Sequence, residues 1–190
     1  MSAADREPGL GIPVGKVRLT THDPTWIAAF ERERVRIAAA LEPLAPTIEH
    51  IGSTAIPGII AKPLLDMMVG IASIADHARA LAPLEALGYE YKGEFGIPDR
   101  HFYVLGDAHH STHHVHLVQR DGDFWRLNLV FRDYLRASAD ARDRYAAEKR
   151  RLAVEFRDVR EKYTAGKDAI ITELLREAGW EEQGSGGSDE

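Results

Sequence analysis

Apolar positions along the chain fall into three regimes. From Trp26 to Leu41 they recur every three or four residues, at Trp26, Ile27, Phe30, Ile37, Ala38 and Leu41, the signature of one apolar helix face. Asp23-Pro24 supplies the opening, a carboxylate able to accept orphan N–H groups ahead of a proline that is harmless at the first helical position. Pro43 and Pro46 close the helix. Upstream, Gly9, Gly11, Pro13 and Gly15 interrupt any period, which predicts a flexible N-terminal arm over residues 1–15 and a short strand over 16–19.

The middle of the chain changes period. Residues 47–51 read as a strand, 52–63 as a breaker-rich loop, and 64–72 as an almost unbroken apolar run of the kind found in strands buried on both faces. Asp66 interrupts that run. Residues 74–87 have a helical pattern despite Pro83 and stop at Gly88, and 89–93, 101–105 and 113–119 predict further strands. From 124 to 179 the spacing of three and four returns, at Leu127, Val130, Phe131 and Tyr134, then at Tyr145, Lys149, Leu152, Phe156 and Val159, with a last helix over 166–178. The Gly/Ser-rich stretch within 181–190 predicts a disordered tail. Together these elements give a single α/β or α+β domain over 16–180, a mixed sheet flanked by helices with a helical C-terminal part.

Composition narrows the function. The 190 residues fit one domain, and 44% hydrophobic with 28% charged residues is a globular balance. Thirty acidic against 24 basic residues leave a formal charge of -6, which argues against strong non-specific nucleic-acid binding. The absence of cysteine excludes disulfides, thiolate nucleophiles and cysteine-ligated zinc. No run approaches the ~20 apolar residues of a membrane span, and the start has no long apolar h-region, so the expectation is a cytoplasmic protein without membrane partners.

Candidate chemistry sits in two places. An aspartate inside a run as apolar as 64–69 is costly unless it faces a cleft or a partner, and Lys62 is one possible partner. The glycine of Gly52-Ser53 lets a backbone approach a ligand closely. Five of nine histidines lie between His109 and His116. On a strand His114 and His116 share a face about 7 Å apart and could serve one metal or one anion. Arg132, Arg136, Lys149 and Lys167 are further candidates for phosphate contacts.

The run Ile48-Glu49-His50-Ile51-Gly52-Ser53-Thr54-Ala55-Ile56-Pro57-Gly58, continued by Ala61-Lys62-Pro63-Leu64-Leu65-Asp66, resembles the signature of the GrpB family. His114-Val115-His116, Phe131-Arg132-Asp133-Tyr134-Leu135-Arg136, Tyr145, Lys149, Tyr163 and Lys167 extend the resemblance over roughly residues 16–180. It implies a nucleotidyltransferase-like core in which Gly52, Ser53 and Thr54, with Lys62 and Arg132, hold nucleotide phosphates. Asp66, His116 and His114 would then bind a divalent metal, Mg²⁺ or Mn²⁺ before Zn²⁺, with Asp66 and His116 catalytic. The implied partner is a nucleotide or other phosphate-containing small molecule. The chain departs from the superfold at Met68, where a second carboxylate is expected. That departure keeps two alternatives open, a non-catalytic nucleotide or anion binder and a histidine-metal hydrolase centred on His114 and His116.

Overall fold

Alternation along one strand organises the molecule. In the computed structural model, which describes residues 9–107 and 109–181, β3 (Leu65–Ile71) turns Leu65, Met67, Val69 and Ile71 to one face and Asp66, Met68 and Gly70 to the other. The remaining strands are β1 (Ile12–Pro13), β2 (Thr47–Ile51), β4 (Glu90–Tyr91), β5 (His101–Gly106) and β6 (His110–Gln119). They form one sheet in the order β2-β3-β6-β5-β4, with β1 paired to the start of β6. Among the described residues only β3 and β6 run parallel, and every other strand pairing is antiparallel.

Helices cover both faces. On one, α1 (Thr25–Ala40) and α2 (Ala78–Ala86) bury Trp26, Phe30, Ile37, Leu41 and Leu84 against Leu65, Met67, Val69, Val115 and Leu117. This is the main core. On the other face, α3 (Asp123–Ala137) lays Trp125 over Ile51, Met68 and Val118. The ring approaches so closely that a Cβ on Gly70 would lie 2.5 Å from Trp125 Cζ3. The chain then continues through α4 (Ala139–Glu155), α5 (Arg160–Ala165) and α6 (Asp168–Glu177); α4 and α6 pack with α3 around Ile56, Ile59, Leu135, Tyr145 and Leu174, and α5 sets Tyr163 against Leu152.

The elements depart from the periodicity reading at identifiable points. No strand forms over 16–19. There the backbone bonds to the α4–α5 connection, Val17 N–H donating to Arg157 O and Arg160 N–H to Gly15 O, while Val17 packs on Leu152 and Tyr163. Residues 1–8 of the expected arm lie outside the described residues. Leu10 and Ile12, by contrast, are buried, and Ile12–Pro13 pairs with His110 and Ser111. Residues 182–190 of the expected tail also lie outside the described residues. Asp23 works one residue earlier than a standard cap: its carboxylate accepts the Thr25 N–H at 2.9 Å and the Thr25 hydroxyl at 2.7 Å.

Substituting Gly70→Ala forces either Trp125 or the strand to move. Overpacking of this kind costs about 1–3 kcal/mol. Urea denaturation of the variant is expected to show a lower midpoint with an unchanged m-value.

Candidate functional site

The polar side of the sheet begins at a sharp bend. Gly52, which follows β2, has φ 68° and ψ -175° and leads into a short 3-10 turn over Ser53–Ala55. A side chain is excluded there twice over, by the positive φ and by Asp66, whose Oδ2 would stand 2.6 Å from an added Cβ. Backbone and carboxylate therefore touch, and both line one cavity of about 100 Å³.

Register brings the histidines to the same place. In the parallel pairing, Asp66 lies opposite His114 and Met68 opposite His116. His114 Nδ1 is 3.0 Å from Asp66 Oδ1, and His116 Nε2 is 3.7 Å from the same oxygen. Burial pushes the Asp66 carboxyl up, but the two imidazoles outweigh it and hold the group well below the usual carboxylate range. Burial lowers His114 to about 4 against the pull of Asp66. At neutral pH this is an ionised aspartate beside a neutral imidazole, so the 3.0 Å contact requires the proton on His114 Nδ1.

The opposite wall is cationic. Lys62, Lys149 and Lys167 line the cavity with Tyr145 and Tyr163. Lys149 donates to Ser53 Oγ at 2.8 Å and to Ile60 O. Lys62 and Lys167 flank the Tyr163 ring, their Nζ atoms 5.7 and 5.2 Å from its centroid. Among the described residues, none of the three lysines forms a salt bridge, and neither does Arg160, half-buried near Asp66 and Lys62. Unpaired cations out of water repel one another and resist protonation. Lys62 is accordingly lowered to about 7 by burial, then by Arg160 and Lys167, with Asp66 opposing. Lys149 is pushed well below the ordinary lysine value by burial, then by Lys167 and Lys62. Burial lowers Lys167 as well.

Of the residues singled out from sequence, Gly52, Ser53, Thr54, Lys62 and Asp66 line this cavity, and His114 and His116 stand directly behind Asp66. Thr54 contributes structure as well: its hydroxyl donates to Leu64 O and meets His50 Nε2 at 3.0 Å, tying the bend to the entry of β3. Arg132 stands apart. Its guanidinium is engaged by Glu49 Oε2 at 2.6 Å, by both Asp133 oxygens and by His50 O. Arg136 bonds Ala55 O and Asp133. Lys62 and Asp66 form no ion pair. Met68 has no exposed surface and is sealed beneath Trp125, and the carboxylate on β2 opposite it, Glu49, is held by Arg132.

Lys149 and Lys167, named from the sequence as candidates for phosphate contacts, line the cavity as well, and one contributor, Arg160, escapes that reading. Lys149 occupies an apolar position of its helix, between Tyr145 and Leu152, and that anomaly is a readable sign of a special environment. Arg160 lies in a six-residue helix with no periodicity to mark it.

Comparison with known proteins gives a consistent picture. The model of the family described as GrpB protein matches residues 16–177. UPF0157 protein YqkA of Bacillus subtilis is 36% identical over 159 residues, 84% of this chain and 46% of YqkA, so the chain spans about half the length of that relative. Glutamate-rich protein GrpB of Alkalihalophilus pseudofirmus is 31% identical over 172 residues, 88% of this chain and 99% of the relative. A crystal structure of conserved protein GrpB from Enterococcus faecalis matches with a TM-score of 0.77 at 36% identity, covering 85% of this chain and 96% of that one. Among the described residues no helix is long and apolar enough to cross a membrane.

The depressed Lys62 gives a pH signature. Its folded-state value, about 7, lies below the ordinary lysine value of 10.5, so between them the unfolded chain binds the extra proton and stability rises with pH. Lys62→Met is expected to raise the melting temperature of the ligand-free protein near neutral pH and to flatten this rise, as followed by thermal denaturation from pH 6.5 to 10.

Proposed function

We propose, from the premise that the chain belongs to the GrpB family, that the cavity between Gly52-Ser53 and the three lysines binds the phosphate groups of a nucleotide. The observation carrying this reading is the surplus of basic groups: Lys62, Lys149 and Lys167 line the cavity with Arg160 close by, against Asp66 and the Asp168 carboxylate near Lys167. Buried cations without partners weaken the free protein, and an entering polyanion relieves their mutual repulsion. The bend at Gly52 admits the ligand close to the backbone, and Lys149 holds the Ser53 hydroxyl at its edge. The family's resemblance to the nucleotidyltransferase superfold supports a nucleotide over other phosphate compounds.

Metal-dependent nucleotidyl transfer is the fuller form of this reading. Asp66, His114 and His116 fit a divalent cation, one ligand atom from each lying within 4.8 Å of the others. One carboxylate with two imidazoles suits Mn²⁺ or Zn²⁺ better than Mg²⁺. A cation held there would neutralise charge on the phosphate. The lysines would orient the phosphates. Binding without transfer is the second reading, favoured by Met68: its sealed position leaves the site one carboxylate where two are usual in the superfold.

Calorimetric titration with inorganic tripolyphosphate tests the pocket. Wild type is expected to bind, and Lys167→Met to weaken binding by about tenfold through loss of a desolvated charge contact; equal affinities would refute the assignment. Binding should weaken as pH rises above 7, because the complex needs Lys62 protonated and its free value is about 7. The Mn²⁺ spin-resonance signal distinguishes the metal site, since wild type should deplete free ion and Asp66→Asn should not. Incubation with radiolabelled nucleoside triphosphate and cell extract then separates the two readings: Asp66-dependent turnover marks an enzyme, and its absence with binding intact marks a sensor.

A further inference from the structure

The rings of the phosphate cavity, Tyr145 and Tyr163, are buried and already face lysine ammonium groups, so a base gains no free stacking surface inside it. A ligand anchored there by its phosphates carries its base outside. The larger hollow near the bend, about 480 Å³ between α1 and the α3–α4 junction, offers a base little. Its ring, Phe30, is buried and already stacked on His50 at 4.6 Å, and its Arg136 and Arg142 bond backbone carbonyls.

A free aromatic surface exists on the other side of Asp66. Phe102 on β5 lies opposite His116, on the same sheet face as Asp66, and its ring sits 4.8 Å from His114 and 5.1 Å from His116. Phe95 stacks on Phe102, with centroids 5.4 Å apart and planes at 29°, yet remains 69% exposed. A lone exposed Phe would need no explanation. This one is held in place. Arg100 donates from Nη2 to the carbonyls of Glu94 and Phe95, both at 2.8 Å, and lies 4.9 Å over the Phe102 ring. Asp99 N–H is bound by the Glu94 carboxylate. Phe95 itself has φ 47°, a conformation that L-residues with bulky side chains rarely adopt, between Gly93 and Gly96, both also at positive φ. The loop therefore presents one ring face to solvent with little freedom left to lose on binding.

We infer that Phe95, backed by Phe102 and Arg100, is the stacking platform for the base of a nucleoside polyphosphate whose phosphates enter the lysine cavity. This rests on the phosphate reading of the cavity and adds the recognition of the base. β5 is two strands from β3, roughly 10 Å across the sheet, with Phe95 one stacked ring from Phe102, so the ligand has to lie extended across the face that carries Asp66 and the two histidines. Stacking on a π-face tolerates every base, so the platform confers preference for nucleotides over bare polyphosphate without selecting among them.

The test compares ATP with inorganic tripolyphosphate on wild type, Phe95→Ala and Phe95→Trp. Phe95 is exposed, so neither variant is expected to disturb folding. Wild type should bind ATP more tightly than tripolyphosphate, and Phe95→Ala should lose about tenfold in the ratio of the two affinities. Phe95→Trp should keep that ratio and show fluorescence quenched by ATP and not by tripolyphosphate, measured against wild type as background for the native tryptophans. An unchanged ratio in Phe95→Ala, or no added quenching in Phe95→Trp, overturns the platform while leaving the phosphate cavity intact. Failure of wild type to bind tripolyphosphate at all overturns the cavity reading, and the platform with it.

Discussion

An ionised carboxylate in a strand of otherwise apolar residues is the constraint on which the site depends. Asp66 keeps its charge because β3 and β6 run parallel in a register that sets His114 beside it and His116 one step further on. A slip of one residue would put His114 and His116 on the opposite face and leave the carboxylate without the imidazoles that now stand beside it. Gly52 follows from the same constraint, since no side chain fits between the bend and that carboxylate. Strand pairing, bend and charge are thus one arrangement seen from three positions.

Around this anion, and the Asp168 carboxylate near Lys167, the helical half of the chain places more basic groups than the two acids can balance. Proteins rarely leave lysines out of water without a carboxylate. The molecule tolerates them here because Tyr145 and Tyr163 supply aromatic faces to the ammonium groups and because Ser53 Oγ and Ile60 O accept from Lys149. That excess separates this pocket from the Arg132 cluster, where Glu49 and Asp133 balance the guanidinium charge.

How much of this can be seen in the residues alone depends on what kind of pattern each part leaves. Strand alternation exposes Asp66 as an outsider, and glycine followed by serine at a strand end marks the bend, so the anionic half of the site is legible. Lys149 is legible too, as a charge in an apolar stripe of α4. Motif membership alone misleads at Arg132, because a sequence stretch cannot show that Glu49, 83 positions away, has already claimed its side chain. The same limit applies to residues 16–19, whose β-like composition is overridden by backbone bonds to the α4–α5 connection. Arg160 leaves no local mark, since it acquires its meaning only when a short helix folds back over the sheet.

The reach of the Lys149–Ser53 bond, 96 residues along the chain, bears on how the molecule comes together. Contacts this distant close late in folding, after hairpins and neighbouring helices have formed. The seam between the sheet's bend and the docked helices is accordingly a natural place for the native state to breathe open, with like charges pressing it apart from within. A bound polyanion would act there as a clasp, slowing amide exchange along α4 to α6 more than in the central strands, and so would couple the chain's resistance to unfolding and proteolysis to the supply of its ligand.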